Sequence, residues 1–396
     1  MATTSSSVAV SYDVEALRQQ QFPLTRDTAY LNHAGISPLP RRTVEAMRVA
    51  NEYLMLDPSG SFHTFFQERL KAFGETLRDL INAAKAIEIV GIQSTSFGLN
   101  LVAQALAWQR GQNVVLCDME FPSNVYPWMR LQEQHGVETR LVPSHDGGLT
   151  LDRLAHAVDE NTRLVTVSAV QFFTGHRTDL AAIGAFCKEW HILFVVDAIQ
   201  AVGHMPIDVR AMHIDVLASG GQKSLMGPPG QGFLYVQHDL AEQMRPTLVG
   251  PNAVDDFLHW IKYKLTPVAG AGRFNMGTPN LSGAIGLLES VTMLREIGLP
   301  AIDAYVTALA DYAIDQLKAH GYEVITPAAH GPIVTFRAAD TDQATDALVE
   351  ALNAQKIAVV KHWDKQDIAY VRASLHCYNN QSDIDRLVNA LKEHKR

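Results

Sequence analysis

Residues 192–236 read ILFVVDAIQAVGHMPIDVRAMHIDVLASGGQKSLMGPPGQGFLYV. The run ILFVV does not alternate apolar with polar, as expected for a strand buried on both faces, and it ends in an acid, Asp197. Two further runs follow, 214–219 and 232–236, with Lys223 and a cluster of glycines between them. Working outward toward the N-terminus, apolar runs recur at 87–92, 113–118, 137–142 and 163–170. Helical patterns separate most of them, at 95–108, 122–135, 150–158 and 179–190. Pro122 suits the first turn of its helix, and Thr150 suits an N-cap. Strand and helix in alternation predict an α/β fold: a seven-stranded, mainly parallel sheet covered by helices.

Beyond Thr278 the texture changes. A helical stretch runs from Leu281 to His320 with a break near Gly298–Pro300. Strand-like 322–326 and 332–337, a helix at 341–354, strands near 356–361 and 368–374, and a helix at 382–393 complete a smaller α+β domain. The expected division is an N-terminal segment 1–28, a large domain 29–280 and a small C-terminal domain 281–396.

The chain has 396 residues, 47% hydrophobic and 19% charged, with a net charge of −9. That is the composition of a globular protein with sizeable cores, not of a disordered chain. A net-acidic chain without a basic block lacks the phosphate-neutralising charge for nucleic acid or an anionic membrane. Cys117, Cys187 and Cys377 are scattered and odd in number, which argues against a disulfide framework and for a reducing compartment. No CxxC or HExxH appears, so no metal site is expected. The start, Met1 to Val10, has neither a basic region nor a long apolar core. The expectation is a soluble, cytoplasmic protein.

Ligands in open parallel sheets bind beyond the carboxyl ends of strands. Asp197 stands at such an end, and Lys223 follows one connection later. An acid and a lysine so placed suit pyridoxal phosphate (PLP): the lysine forms a Schiff base, and the carboxylate keeps the pyridine nitrogen protonated. Taken singly, the Asp also reads as a helix cap and the Lys as a solvated charge. A P-loop reading of Gly220-Gly221-Gln222-Lys223-Ser224 fails, because Gln222 separates glycine from lysine and the segment comes late. Ser94-Thr95-Ser96 opens the helix after the first strand, where hydroxyls and free N–H groups make an anion cradle or a simple N-cap.

VVDAIQAVGHMPIDV, DVLASGGQKSLMGPPGQGFLYV, RFNMGTPN and VRASLHCYNNQSDIDRLVNAL together resemble the class-V aminotransferase family. These are PLP enzymes of fold type I that include cysteine desulfurases, C–S lyases and isopenicillin N epimerase. The resemblance runs from Tyr30-Leu31-Asn32-His33 to the C-terminus. It implies that Lys223 is the Schiff-base lysine, that Asp197 pairs with the pyridine nitrogen, and that Gln200 reaches the phenolic oxygen. Ile199 would press on one ring face, Thr95 and Ser96 would bind the phosphate, and Gln222 would donate to it. Thr278 matches a threonine that reaches a neighbouring subunit's phosphate, which implies a homodimer with shared active sites. Arg372 matches the arginine that grips the substrate α-carboxylate, a task suited to a guanidinium fork. His33 falls in a segment lining the substrate pocket, as a polar contact, an acid/base or a structural hydrogen bond.

Several positions depart from the pattern of the desulfurases. Phe121 stands where they stack a histidine on the ring, so it can stack but cannot move protons. Gln222 replaces a histidine before the lysine, Gly220 replaces a serine, and Gln171-Phe172 displaces an asparagine. Lys361–Gln366 lacks the loop cysteine that would accept sulfur, and Cys377 reads as a packed thiol. The expected activity is therefore lyase-type, β-elimination-like chemistry on a small α-amino acid. Transamination and epimerisation are the alternatives within the family, and a degenerate PLP-fold binding module is the non-enzymatic one.

Overall fold

The structure is a computed structural model that describes residues 11–394 apart from 146, 257, 258 and 260; the start Met1 to Val10 lies outside the described residues. Seven strands form the large sheet: β1 Ile89–Ile92, β2 Asn113–Cys117, β3 Glu138–Val142, β4 Thr162–Ser168, β5 Leu193–Asp197, β6 Val216–Gly220 and β7 Gly232–Val236. Their order is β1-β7-β6-β5-β4-β2-β3, with only β7 antiparallel to its neighbours. Phe194, Val195 and Val196 are fully buried, as the unbroken apolar run requires. The expected α/β architecture is present, with a small difference in one helix. Over 122–135 the chain forms a 3₁₀ turn, Pro122–Asn124, and then a separate helix, Tyr126–His135. Pro127 has no N–H to continue the first turn, so the helix starts afresh around it.

The sheet register sets the ligand end. Asp197 lies between Ser168 of β4 and Ala218 of β6. The helix Thr95–Ala105 runs close beneath β6; a Cβ on its Gly98 would come within 2.6 Å of Ile92 Cδ1 and 3.4 Å of the Ala218 methyl. Because β7 returns antiparallel, Gly220 pairs with Gly232, and Gly221 N–H donates to Gln231 O at 2.7 Å. The Lys223 loop is thus clamped at both ends by backbone hydrogen bonds.

Four antiparallel strands form a second sheet: β8 Glu323–Val324, β9 Ile333–Arg337, β10 Val360–Trp363 and β11 Ala369–Ser374, in the order β10-β11-β9-β8. The helices Leu281–Ile297 and Leu299–Ala319 lead into it and bend by 80° at Gly298, whose φ is 95°. The single strand expected near 356–361 is divided. Ile357–Ala358 pairs in parallel with Ala29–Tyr30, and only then does β10 begin. We propose 29–280 and 281–396 as the two units of the chain. Their contact includes that strand pair, and the N-terminal segment before residue 29 adds a buried fork in which Arg18 donates to both carboxylate oxygens of Asp383, at 2.8 and 3.2 Å.

Gly203 packs under the lysine loop. A Cβ there would fall 1.6 Å from Ser224 O, a backbone atom that cannot swing away. Gly203→Ala should therefore lower stability by about 2 kcal/mol or more through overpacking, read as a drop in the thermal midpoint. An unchanged midpoint would show that the loop is not held against residue 203.

Candidate active site

Three strand ends converge on Lys223. Its Nζ lies 5.2 Å from the centroid of the Phe121 ring, which follows β2. Asp197 closes β5, is 3% exposed, and accepts the Ile199 N–H on Oδ1 at 3.0 Å. Burial pushes its carboxyl up to about 6, against the pull of that N–H and of the Lys223 charge. Lys223 moves the opposite way. Burial lowers it to about 8, with Asp197 opposing and Arg372 reinforcing the drop. A buried acid and a buried base that shift toward each other form a site where a proton moves at small cost.

The helix Thr95–Ala105 presents its N-terminus here. Ser94 caps it by accepting Phe97 N–H, and Thr95 Oγ1 accepts Gly220 N–H at 2.8 Å, which ties the helix start to the end of β6. Thr95 keeps its own hydroxyl proton for a further acceptor. Ser96 Oγ lies 2.6 Å from Ser123 Oγ, so a second hydroxyl joins this end of the helix. Gln222 turns its Oε1 inward without a hydrogen-bond partner among the described residues. Gly220 is small because a Cβ there would sit 2.5 Å from that oxygen and 3.2 Å from Ile199 Cδ1.

Gln200 is buried with its amide nitrogen donating to Ala34 O at 3.0 Å. Gln171 spends its side chain on its own turn: Oε1 accepts the N–H groups of Phe173 and Thr174 at 2.7 and 2.6 Å. That turn delivers Phe172 edge-on to Phe121 and offers Phe172 O to Arg372 Nη1 at 2.7 Å. Arg372 is 3% exposed, its Nε has no partner among the described residues, and burial brings it down to about 10. A buried, half-satisfied guanidinium is costly unless an anion completes it.

His33 lies in a packed group. Its Nδ1 is 3.1 Å from Tyr378 OH, its ring lies tilted by 31° against His376 with centroids 4.2 Å apart, and burial holds its proton affinity down to about 3. His376 in turn donates Nε2–H to Ser224 O at 3.1 Å, and His204 donates Nε2–H to Gln200 O at 2.9 Å. These two imidazoles brace the backbone on either side of Lys223 and Asp197. Thr278 is exposed on a surface loop rather than gathered with the others.

Sequence reading missed four members of this neighbourhood: Ser123, Glu120, His376 and His204. Glu120 is a second buried carboxylate; it accepts Ser168 N–H at 2.8 Å and Asn124 Nδ2–H at 3.0 Å, and burial raises it to about 7. Its place just past β2 is the same strand-end signal that singled out Asp197. The histidines carry no such signal, since they meet only through tertiary packing.

The Lys223 shift has a consequence for stability. Below pH 8 the ammonium is charged in both states, and the folded chain bears the cost of burying it. Between about 8 and 10.5 the folded state has released a proton that the unfolded chain still holds, so stability rises with pH. Lys223→Met, which leaves Asp197 without its cation, should abolish that rise in stability between about pH 8 and 10.5 in the ligand-free protein. A rise across that window that survives in Lys223→Met, read in thermal melts, would refute the buried ammonium.

Comparison with known proteins matches this arrangement to a family model described as aminotransferase class-V, over residues 29–387. A probable cysteine desulfurase of Methanothermobacter thermautotrophicus is 32% identical over 391 residues, covering 95% of this chain and 96% of the relative. The apo structure of a cysteine desulfurase from Thermococcus onnurineus superposes with a TM-score of 0.86 at 27% identity, covering 98% of both chains. A mutant of the C–S lyase C-DES, with glycine covalently linked to its PLP cofactor, gives 0.85 at 23% identity over 94% of this chain and 98% of that one, a likeness of fold. With the family model spanning all the strand ends described above, the chain belongs to the class-V aminotransferase family.

Proposed function

We propose that the protein is a PLP-dependent lyase that acts on a small L-amino acid and releases the β-substituent to solvent without passing it to a cysteine of its own. The observation that carries this reading is Lys223 one strand away from the buried carboxylate of Asp197. The residues fit the cofactor. Asp197 supplies a buried anion for a pyridinium, Thr95 and Ser96 open a helix N-terminus suited to a phosphate, and the Gln222 amide, turned over, would present its N–H₂ in place of the unpaired Oε1. Lys223 would hold the group covalently, Ile199 would lie against its ring beside Gly220, and Phe121 would cover another side. When bound, PLP supplies an electron sink next to the substrate amine.

The chain's own residues do the rest. Arg372 takes the α-carboxylate on the nitrogens that Phe172 O leaves free and so fixes the orientation of Cα. Lys223, with its lowered proton affinity, removes the Cα proton near neutral pH. Phe121 and Phe172, edge to face, give the reacting atoms an apolar wall on one side. Cys117, Cys187 and Cys377 are all buried, and burial raises their thiols to about 12, about 12 and well above the usual range. None of them is a thiolate ready to accept sulfur. Epimerisation would need a second acid/base facing Cα, and His33, the candidate for it, is packed neutral against His376 and Tyr378.

A shared-site homodimer completes the proposal. Thr278 is exposed, and Ile261, Tyr263 and Leu265 are 85%, 90% and 75% exposed. Asn252, near the base of the loop that carries those three, donates to Gly277 O at 2.8 Å, next to Thr278. A second copy seated there would bury the apolar residues and bring Thr278 to its partner's phosphate. We place this dimer in the cytoplasm, with no nucleic-acid or membrane partner. No single helix among the described residues is long and apolar enough to cross a membrane.

The purified protein should be yellow, with an absorption band that borohydride bleaches and Lys223→Ala abolishes. With L-cysteine it should release pyruvate and ammonia; racemisation without ammonia, or a pyridoxamine spectrum reversed by a keto acid, would overturn the lyase assignment. Sedimentation should give a dimer that Tyr263→Asp splits, and Thr278→Ala should weaken PLP retention. A stable monomer with full activity would refute the shared site.

A further inference from the structure

Strand β10 alternates its faces. Lys361 Nζ meets Asp342 Oδ1 at 3.0 Å, and Trp363 Nε1 donates to the same oxygen at 2.7 Å, so both point to the helix Asp342–Ala354. His362, between them, faces the opposite way. The register pairs His362 with Tyr370 and Val360 with Arg372. His362 and Arg372 are therefore diagonal neighbours on one face, a spacing of about 7–8 Å between Cα atoms.

That face looks toward the reacting end of the site. The His362 ring stands edge-on to Phe172 at 5.8 Å and to Phe173 at 6.3 Å. Phe172 is edge-on to Phe121, over which Lys223 Nζ lies. Two buried nitrogens here, Arg372 Nε and His362 Nε2, have no partner among the described residues. Burial, together with the Arg372 and Lys223 charges, lowers His362 to about 4, so its imidazole is neutral at neutral pH. A buried nitrogen left unpaired in an aromatic wall is unfavourable, and a ligand group that pairs with it gains accordingly.

We infer that His362 hydrogen-bonds the β-substituent of the substrate and so selects L-amino acids whose β-carbon carries a polar group such as a thiol or hydroxyl. The inference rests on the reading of the site as one for a small amino acid. With the carboxylate on Arg372 and Cα at Lys223, the side chain is the part of the substrate left to meet His362. In the elimination, Lys223 takes the Cα proton and the C–H electron pair becomes the Cα=Cβ bond. The Cβ–X pair leaves with X, and the Lys223 proton passes to X to give HX. His362 gains and loses no proton; its dipole faces the charge that develops on X.

The test is the affinity of the holoenzyme for L-serine and L-alanine, which differ by one β-hydroxyl, read from the change in cofactor absorption on rapid mixing, before any elimination. The wild-type protein should favour L-serine by about 5-fold or more. His362→Phe keeps the ring packing and should erase that preference while leaving L-alanine binding within about 2-fold; His362→Gln, which keeps an N–H, should retain part of it. A preference that survives in His362→Phe overturns the inference, as does an equal loss for both ligands or a failure of either ligand to perturb the band. Pyruvate release from L-cysteine separates the two readings. Its absence in a wild-type protein that still prefers L-serine removes the lyase and leaves His362 in place.

Discussion

A carboxylate sealed at the end of a buried strand is tolerable only if a cation answers it. Taking an ion out of water costs several kcal/mol even after relaxation, and Asp197 is 3% exposed with one backbone N–H on Oδ1. Much of the architecture can be understood as supplying that cation. The β5 register sets Asp197 beside β6, β6 leads into the Lys223 loop, and the antiparallel return of β7 pins that loop at both ends. Around it, His204 and His376 hold Gln200 O and Ser224 O, so the two charges keep their separation. On the proposed reading, a pyridinium would be the second answer to the same carboxylate.

The site is also divided between two kinds of support. Lys223, Asp197 and the helix start at Thr95 belong to the seven-stranded sheet, whereas Arg372 and His362 come from neighbouring strands of the small sheet. Phe172 and Phe173 join the two. Phe172 O accepts Arg372, and Phe173 O accepts the Thr335 hydroxyl of β9. Gln171 shapes that junction, which explains why a longer amide stands there: its oxygen is consumed in closing the turn and is not offered to a ligand.

The large sheet was legible because burial on both faces leaves an unmistakable pattern in runs such as ILFVV. Asp197, Lys223 and Thr95 were legible for a related reason, since strand ends and helix starts can be located on a chain before its tertiary structure is known. The exceptions are instructive. The split at Pro127 turns on one missing N–H inside an otherwise helical pattern. Ile357–Ala358 reads like its continuation in β10, and only the arrival of Ala29–Tyr30 separates the two. His33, His204, His376 and Tyr378 converge from distant parts of the chain, and nothing local in any of them signals the others. His362 looked like a residue in a segment notable for lacking cysteine; its facing became evident only when Lys361 and Trp363 were seen to be held by Asp342.

The pairing of Ala29–Tyr30 with Ile357–Ala358 also bears on how the molecule is made. Ribosomes deliver the N-terminal strand first, and the strand that completes it near the end. The segment carrying His33 must therefore wait, with its edge open, while the large sheet assembles behind it. His33 finds Tyr378 and His376 only after the last strands emerge, and the Arg18–Asp383 fork closes later still. A nascent chain holds the Asp197–Lys223 segment long before His376 arrives to support Ser224 O or Arg372 arrives to meet Phe172 O. The topology itself thus defers the finished site to the last strands, and a truncated chain lacks both supports.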